Sequence, residues 1–167
     1  MEFDQFFSAT RSRLVGSIFL VVGDLGEAED VTQEAYSRAA RNWPKIRDYE
    51  DPEGWLRRVA LNLALSSLAR ARRRAVSVLT HQDRPVEFDA TTATVLAVDV
   101  RRALLQLPRR YRAVIVLHYL DDRSVAQVAT DLGLPVETVR SQLARGRRRL
   151  HELLGDGTAR TETEHLS

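Results

Sequence analysis

The chain has 167 residues, 44% hydrophobic and 29% charged, the profile of a soluble globular protein of one ordinary domain or two small ones. It has no cysteine and no apolar run near the roughly 20 residues of a membrane span, which excludes a disulfide framework, a thiolate metal site, a cysteine nucleophile and a spanning helix. The formal net charge is only +2, and the basic side chains are 24 Arg and the single Lys45.

The start, MEFDQFFSAT, is acidic and lacks the basic and apolar segments of a signal peptide, so a cytoplasmic location is expected. Phe3, Phe6, Phe7, Leu14, Ile18 and Val22 recur near helical spacing and predict an amphipathic helix over 3–21. Gly23-Asp24-Leu25-Gly26 breaks it. Asp24 is the expected N-cap of a second helix over 26–42, with Glu27 three residues on as in a capping box. Acids in its first turn suit the helix dipole. Glu27, Asp30 and Glu34 form one stripe of this helix, with Gln33 beside it. Taken alone, such a stripe is usually a solvated face.

Asn42-Trp43-Pro44 ends the second helix, and 44–54 reads as a short element or loop carrying Ile46 and Tyr49. Asp51-Pro52-Glu53 is a cap followed by Pro at the first helical position, predicting a helix over 53–74. Trp55, Leu56, Val59, Leu61, Leu63, Leu65 and Leu68 make it apolar over much of its surface and central to its domain. Trp55 reads best as a core residue. Arg57, Arg58 and Asn62 start a basic block that Arg70, Arg72, Arg73 and Arg74 close. Aromatic rings beside arginines suit single-stranded DNA, where each stacked base is worth about 1–3 kcal/mol. Residues 75–92 lose helical periodicity and predict a linker. Helices are expected at 95–106, 108–119, 124–132 and 135–153, then a frayed polar tail over 155–167. Net charge along the chain is −5 over 1–54, +6 over 55–74, −2 over 75–94, +5 over 95–154 and −2 in the tail. Two basic blocks behind an acidic front suggest two contacts with a polyanion and one with something else.

Residues 124–150 have helix-turn-helix form: a short helix, a turn at Gly133, and a second helix opening at Pro135. On a wheel at 100° per residue, Val139, Leu143, Gly146 and Leu150 face the core. Glu137, Thr138, Ser141, Ala144, Arg145 and Arg148 lie opposite. Arg140 and Arg147 flank one edge, and Gln142 and Arg149 the other. Five Arg between 140 and 149 with no interleaved acid repel one another unless a polyanion neutralises them. Small polar residues near the helix start can reach base edges, and the later Arg residues can grip phosphates.

Taken together, "GDLGEAEDVTQEAYSRAARNW", "DPEGWLRRVALNLALSSLARARRR" and "LLQLPRRYRAVIVLHYLDDRSVAQVATDLGLPVETVRSQLARGRRRL" resemble, in order, regions 2.2, 2.3–2.4 and 4 of a group IV, extracytoplasmic-function (ECF) sigma factor of bacterial RNA polymerase. The likeness runs to about residue 154, and the start and "YEDPEGWLRRVA" look most like the actinobacterial SigE-like set. The resemblance implies an all-α chain of two small helical domains joined by a flexible linker: 1–74 as region 2, 75–94 as linker, 95–154 as region 4, and a disordered tail over 155–167. By position, Asp30, Gln33 and Glu34 match the family's contacts to the β′ clamp of core polymerase. Residues 45–54, with Tyr49, match the loop that captures a flipped −10 base, and Arg57, Arg58 and Asn62 match promoter-facing positions. Thr138, Arg140, Ser141, Gln142, Arg145, Arg148 and Arg149 fall where region 4 reads −35 DNA. The linker is expected to run through the active-site and RNA-exit channels. Ser66 stands where the family pattern commonly has Asp, and Gln142 where it has a large basic residue.

The expected activity is transcription initiation: binding core polymerase, recognising −35 DNA and melting the −10 element. The expected partners are core polymerase, promoter DNA and an anti-sigma factor, with no membrane insertion. No cofactor is expected, since His81, His118, His151 and His165 show no metal-ligand spacing, and no phosphate loop or nucleophile motif marks an enzyme. Two other readings stay open on the residues: a stand-alone helix-turn-helix regulator that binds duplex DNA as a dimer, and a protein-only adaptor whose basic blocks bind acidic partners.

Overall fold

The computed structural model describes residues 1–66 and 98–164. The expected linker 75–94 and the arginines at 70, 72, 73 and 74 lie outside them. Among the described residues the secondary structure is helical, without strands.

The N-terminal half has four helices: α1 (Phe3–Val22), α2 (Leu25–Arg41), the single turn α3 (Trp43–Ile46) and α4 (Pro52–Leu65). Gly23 ends α1 at φ 84°, a left-handed conformation that only glycine adopts without strain. Asp24 caps α2 as expected, its Oδ1 accepting from the Glu27 amide at 2.7 Å. Asp51 caps α4 in the same way through the Gly54 amide at 2.8 Å, with Pro52 in the first turn. One expectation is corrected here. The helix predicted over 53–74 stops at Leu65, and Ser66 is extended at φ −72°, ψ 121°. Ser66 marks the stop, because a serine side chain competes for backbone hydrogen bonds in non-helical conformations.

α1 packs along α2 and α4 over a core of Leu14, Ile18, Val21, Val31, Ala35, Leu56, Ala60 and Leu61. Phe3, Phe6, Phe7, Tyr36 and Trp43 gather at the open end of α1, with the Phe6 and Trp43 centroids 4.8 Å apart. Inside that cluster the Thr10 and Tyr36 hydroxyls share a buried hydrogen bond of 2.7 Å, worth about 1 kcal/mol net.

The C-terminal half comprises α5 (Val98–Leu105), α6 (Arg109–Ile115) running into a wide π turn over Val116–Leu120, α7 (Val125–Leu132) and α8 (Val136–Glu164). Ser124 and Gln127 make a full capping box at the start of α7. Gly133, at φ 64°, ends α7 and turns the chain into α8. Gly146 lets α8 close on α6, since a Cβ there would come within 2.8 Å of the Ile115 Cδ1. The polar tail predicted as frayed from 155 is instead helical backbone to Glu164. Glycine stops a helix by turning left-handed, and among the described residues only Gly23 and Gly133 do so.

The two halves pack together. α5, α6 and the π turn lie against α1, and α7 lies across α4. One apolar cluster runs from Phe6 in α1 to Leu143 in α8.

Candidate nucleic-acid and partner interfaces

The acidic stripe of α2 is positioned by its opposite face. Ala28, Val31, Thr32, Ala35 and Ala39 are buried, which turns Asp30 and Gln33 to solvent and leaves Glu34 half-exposed. Glu34 holds Arg38 at 2.8 Å. Glu27 leaves the stripe: its two carboxylate oxygens each accept from Arg109 of α6 at 2.8 Å. Arg109 also donates to the Ala64 carbonyl at 3.1 Å, in the last turn of α4. A bidentate guanidinium–carboxylate pair with both side chains about 15% exposed is a strong tie between the halves.

The aromatic residues sort themselves by burial. Trp43 packs between Phe3 and Phe6 and is closed to a stacked base. Trp55 is half-buried against the core, in line with its expected packing role. Tyr49 is half-buried beside the exposed residues 47–48 and 50–51.

On α4, Asn62 is exposed, but Arg57 and Arg58 are not free. Arg57 is 14% exposed, and its guanidinium lies 3.8 Å from Asp131 and 4.0 Å from Asp121. Arg58 Nη1 lies 4.0 Å from the other Asp131 oxygen. Asp131, at the end of α7, has a fully buried carboxylate, which also accepts from Arg123 Nε at 3.0 Å and Nη2 at 3.3 Å. Composition and periodicity offered no signal for this cluster, because it joins Arg57 and Arg58 to Asp121 and Asp131, more than 60 residues further along the chain.

Asp121 accepts from Ser17 of α1 at 2.9 Å. Its carboxyl is nonetheless pushed above the ordinary range. Burial raises it, and the Ser17 hydrogen bond and the Arg57 charge offset only part of the rise. At 4.0 Å without a hydrogen bond, the Arg57 pair is too weak to offset the desolvation. A raised carboxyl favours the folded state below its unfolded value of about 3.9, and that advantage is lost as pH rises through the folded value. Asp121→Asn, which can still accept from Ser17, is therefore expected to melt at or above the wild-type temperature at pH 7. The difference should vanish near pH 4. Thermal melts across that range check this, and a variant clearly less stable at pH 7 would contradict it.

The second helix of the helix-turn-helix matches the wheel. Val139, Leu143 and Gly146 are buried, and Arg140, Ser141, Ala144, Arg145, Arg147, Arg148 and Arg149 are exposed. Arg110, and after it Arg145, hold the Tyr111 phenol below its ordinary range, and Arg147 donates to the Tyr119 hydroxyl at 2.9 Å. Thr138 is half-buried. Gln142 is turned inward: it is half-buried, and its Oε1 has no hydrogen-bond partner among the described residues.

Residues 6–74 match the Sigma-70 region 2 family model, and residues 97–150 match the Sigma-70 region 4 model. The ECF RNA polymerase sigma factor SigW of Bacillus subtilis is 31% identical over 83% of this chain and 81% of its own length. SigM of Mycobacterium tuberculosis is 33% identical over 92% and 77%. The chain belongs to the ECF sigma factors of bacterial RNA polymerase. Members of this family bind core polymerase and direct it to promoters, and this chain is a transcription initiation factor of that kind. Its N-terminal half is thereby region 2 and not the dimerisation or ligand module of a stand-alone regulator. SigE of Mycolicibacterium smegmatis, 29% identical over 96% of the chain and 64% of its own length, is no nearer than SigW. The sigma factor RpoE of Bartonella quintana, crystallised with the anti-sigma factor NepR, shares the fold: TM-score 0.69, 23% identity, 92% of this chain and 96% of that one. Among the described residues no helix is long and apolar enough to cross a membrane.

Proposed function

We propose that the chain divides its work among three surfaces. The stripe Asp30, Gln33, Glu34 docks on a basic surface of core polymerase. The turn at Tyr49 and the α4 residues Arg57, Arg58 and Asn62 open and read the −10 element. Ser141 and Arg145, bordered by Thr138 and Arg148, read −35 base edges, and Arg140, Arg147 and Arg149 grip phosphates. Gln142 is left out of the direct contacts, because its amide oxygen is turned inward.

The observation that carries this reading is the exposed arginine face of α8, held outward by the buried Val139, Leu143 and Gly146. Residues 1–74 then act as the polymerase and −10 module, 95–154 as the −35 module and 75–94 as the tether. The chain carries out no chemistry of its own; bond formation belongs to the polymerase. It works in the cytoplasm, and an anti-sigma factor is the expected antagonist, as NepR is in the RpoE complex.

The test is promoter binding with and without core polymerase. Specific binding is expected only with core, whereas tight specific binding by the chain alone would favour a self-sufficient regulator. For the −10 element, unstacking a base costs a few kcal/mol that a protein pocket must offset. Asn62→Ala should therefore reduce permanganate reactivity of promoter thymines while leaving closed-complex binding intact. Unchanged reactivity at saturating protein would remove Asn62 from melting.

A further inference from the structure

We propose that Tyr111 and Tyr119 are positioning residues for −35 recognition: from one stripe of α6 and the π turn, their hydroxyls hold the guanidiniums of Arg145 and Arg147 on either side of Gly146. The proposal rests on the reading of α8 as the −35 helix.

The placement follows from one close approach. Tyr111, Ile115 and Tyr119 stand at intervals of four residues. Ile115 is seated on Gly146, where a Cβ would come within 2.8 Å of its Cδ1 and 3.4 Å of the Tyr111 Cβ. With Ile115 pinned on the glycine, the tyrosines before and after it fall beside the arginines before and after the glycine. Arg147 donates to the Tyr119 hydroxyl at 2.9 Å. The Tyr111 hydroxyl lies between Arg145 and Arg110, whose guanidinium carbon is 4.9 Å from the ring centroid and whose Nη2 is 3.5 Å from the hydroxyl. In an unbroken α-helix, Tyr119 would stand about 80° round the axis from Tyr111. The π turn over Val116–Leu120 rotates less per residue and returns Tyr119 to the α8 side. Tyr119 is 47% exposed, yet it is braced. Its ring meets His118 edge-on at 4.8 Å, and His118 Nδ1 is 2.7 Å from the Arg123 carbonyl oxygen.

The partners of these two arginines differ in kind from those of their neighbours. Arg140 and Arg149 pair with Glu137 and Glu152 of α8 itself. A carboxylate offsets the charge it holds. A phenol oxygen does not, and it takes only one of the five guanidinium donors. Arg145 and Arg147 are therefore set in place with their charge, and most of their donors, available to a phosphate or a base edge. Ordering a long side chain is one of the costs of binding, so a guanidinium held beforehand gains about two- to tenfold in affinity over a free one.

Tyr111→Phe and Tyr119→Phe keep the rings and remove the hydroxyls, and holoenzyme binding to a −35 substitution library reads the effect. Tyr111→Phe should weaken binding about two- to tenfold and relax preference at the same −35 positions as Arg145→Ala. Tyr119→Phe should weaken binding to all sequences by a similar factor. Each effect should vanish without its arginine: Tyr111→Phe adds nothing to Arg145→Ala, and Tyr119→Phe adds nothing to Arg147→Ala. Lost packing alone would persist in those backgrounds. Wild-type affinity and preference in the Phe variants overturns the positioning role. So does an effect that stays undiminished when the arginine is gone. Arginine variants that bind like wild type remove the −35 reading of α8 itself, and the role of the tyrosines with it.

Discussion

Holoenzyme assembly is expected to fail in the double variant Asp30→Arg, Glu34→Arg. Both side chains project from a helix whose other face is packed with alanine, valine and threonine, so the substitutions leave the core untouched. Reversing two charges turns attraction for a basic surface into repulsion, and like charges brought together across an interface cost several kcal/mol. Core affinity should fall by roughly 100-fold or more, most steeply at low salt, where steering is least screened. Glu34→Arg also replaces an i,i+4 pair with Arg38 by a like-charge pair, a loss of about 0.5 kcal/mol that leaves helicity intact. Fluorescence titration of labelled core with variant and wild type, alongside far-ultraviolet circular dichroism, measures both. Wild-type affinity in a folded double variant would mean that the stripe does not face polymerase.

At the other end of the molecule, the arginines of α8 should separate into two classes. Arg145 stands at the centre of the exposed face, close to Tyr111, and Arg147 and Arg149 stand on its edges. Arg145→Ala is expected to cost about 1–3 kcal/mol and to relax preference at particular −35 positions. Arg147→Ala and Arg149→Ala should weaken binding to all sequences alike and reduce the salt dependence by roughly one unit of slope each. Holoenzyme binding to a −35 substitution library at two salt concentrations distinguishes them. Uniform loss in Arg145→Ala would make it a phosphate contact and move base reading toward Thr138 and Ser141. If neither class matters, the helix does not face DNA.

Arg57 and Arg58 were legible as basic residues on an apolar helix, and a substitution there would ordinarily be scored as a lost DNA contact. Glu53 of α4 together with Asp121 and Asp131 of the C-terminal half surround them, so neutralising either arginine removes a candidate phosphate contact and weakens the packing of α7 on α4 at once.

Much of the molecule follows from local chemistry, and local chemistry is what a sequence displays. Asp24 and Asp51 announce helix starts through hydrogen bonds that span three residues, and both form. The wheel of α8 placed Val139 and Leu143 inward and Arg145 outward because a helix repeats every 3.6 residues whatever surrounds it. Periodicity also gave the order of helices and the helix-turn-helix. The stop at Ser66 and the continuation past Gly155 escaped it. Apolar residues run on to Leu68 in the first case, and in the second a glycine ends a helix only if the backbone turns left-handed. What only the tertiary structure decided is which polar and charged side chains meet. Glu27 with Arg109, Ser17 with Asp121 and Arg57 with Asp131 are separated by 82, 104 and 74 positions. Pairings of that range carry no periodic signature. They arise where buried apolar faces bring distant helices together, and the apolar faces are what place the charges.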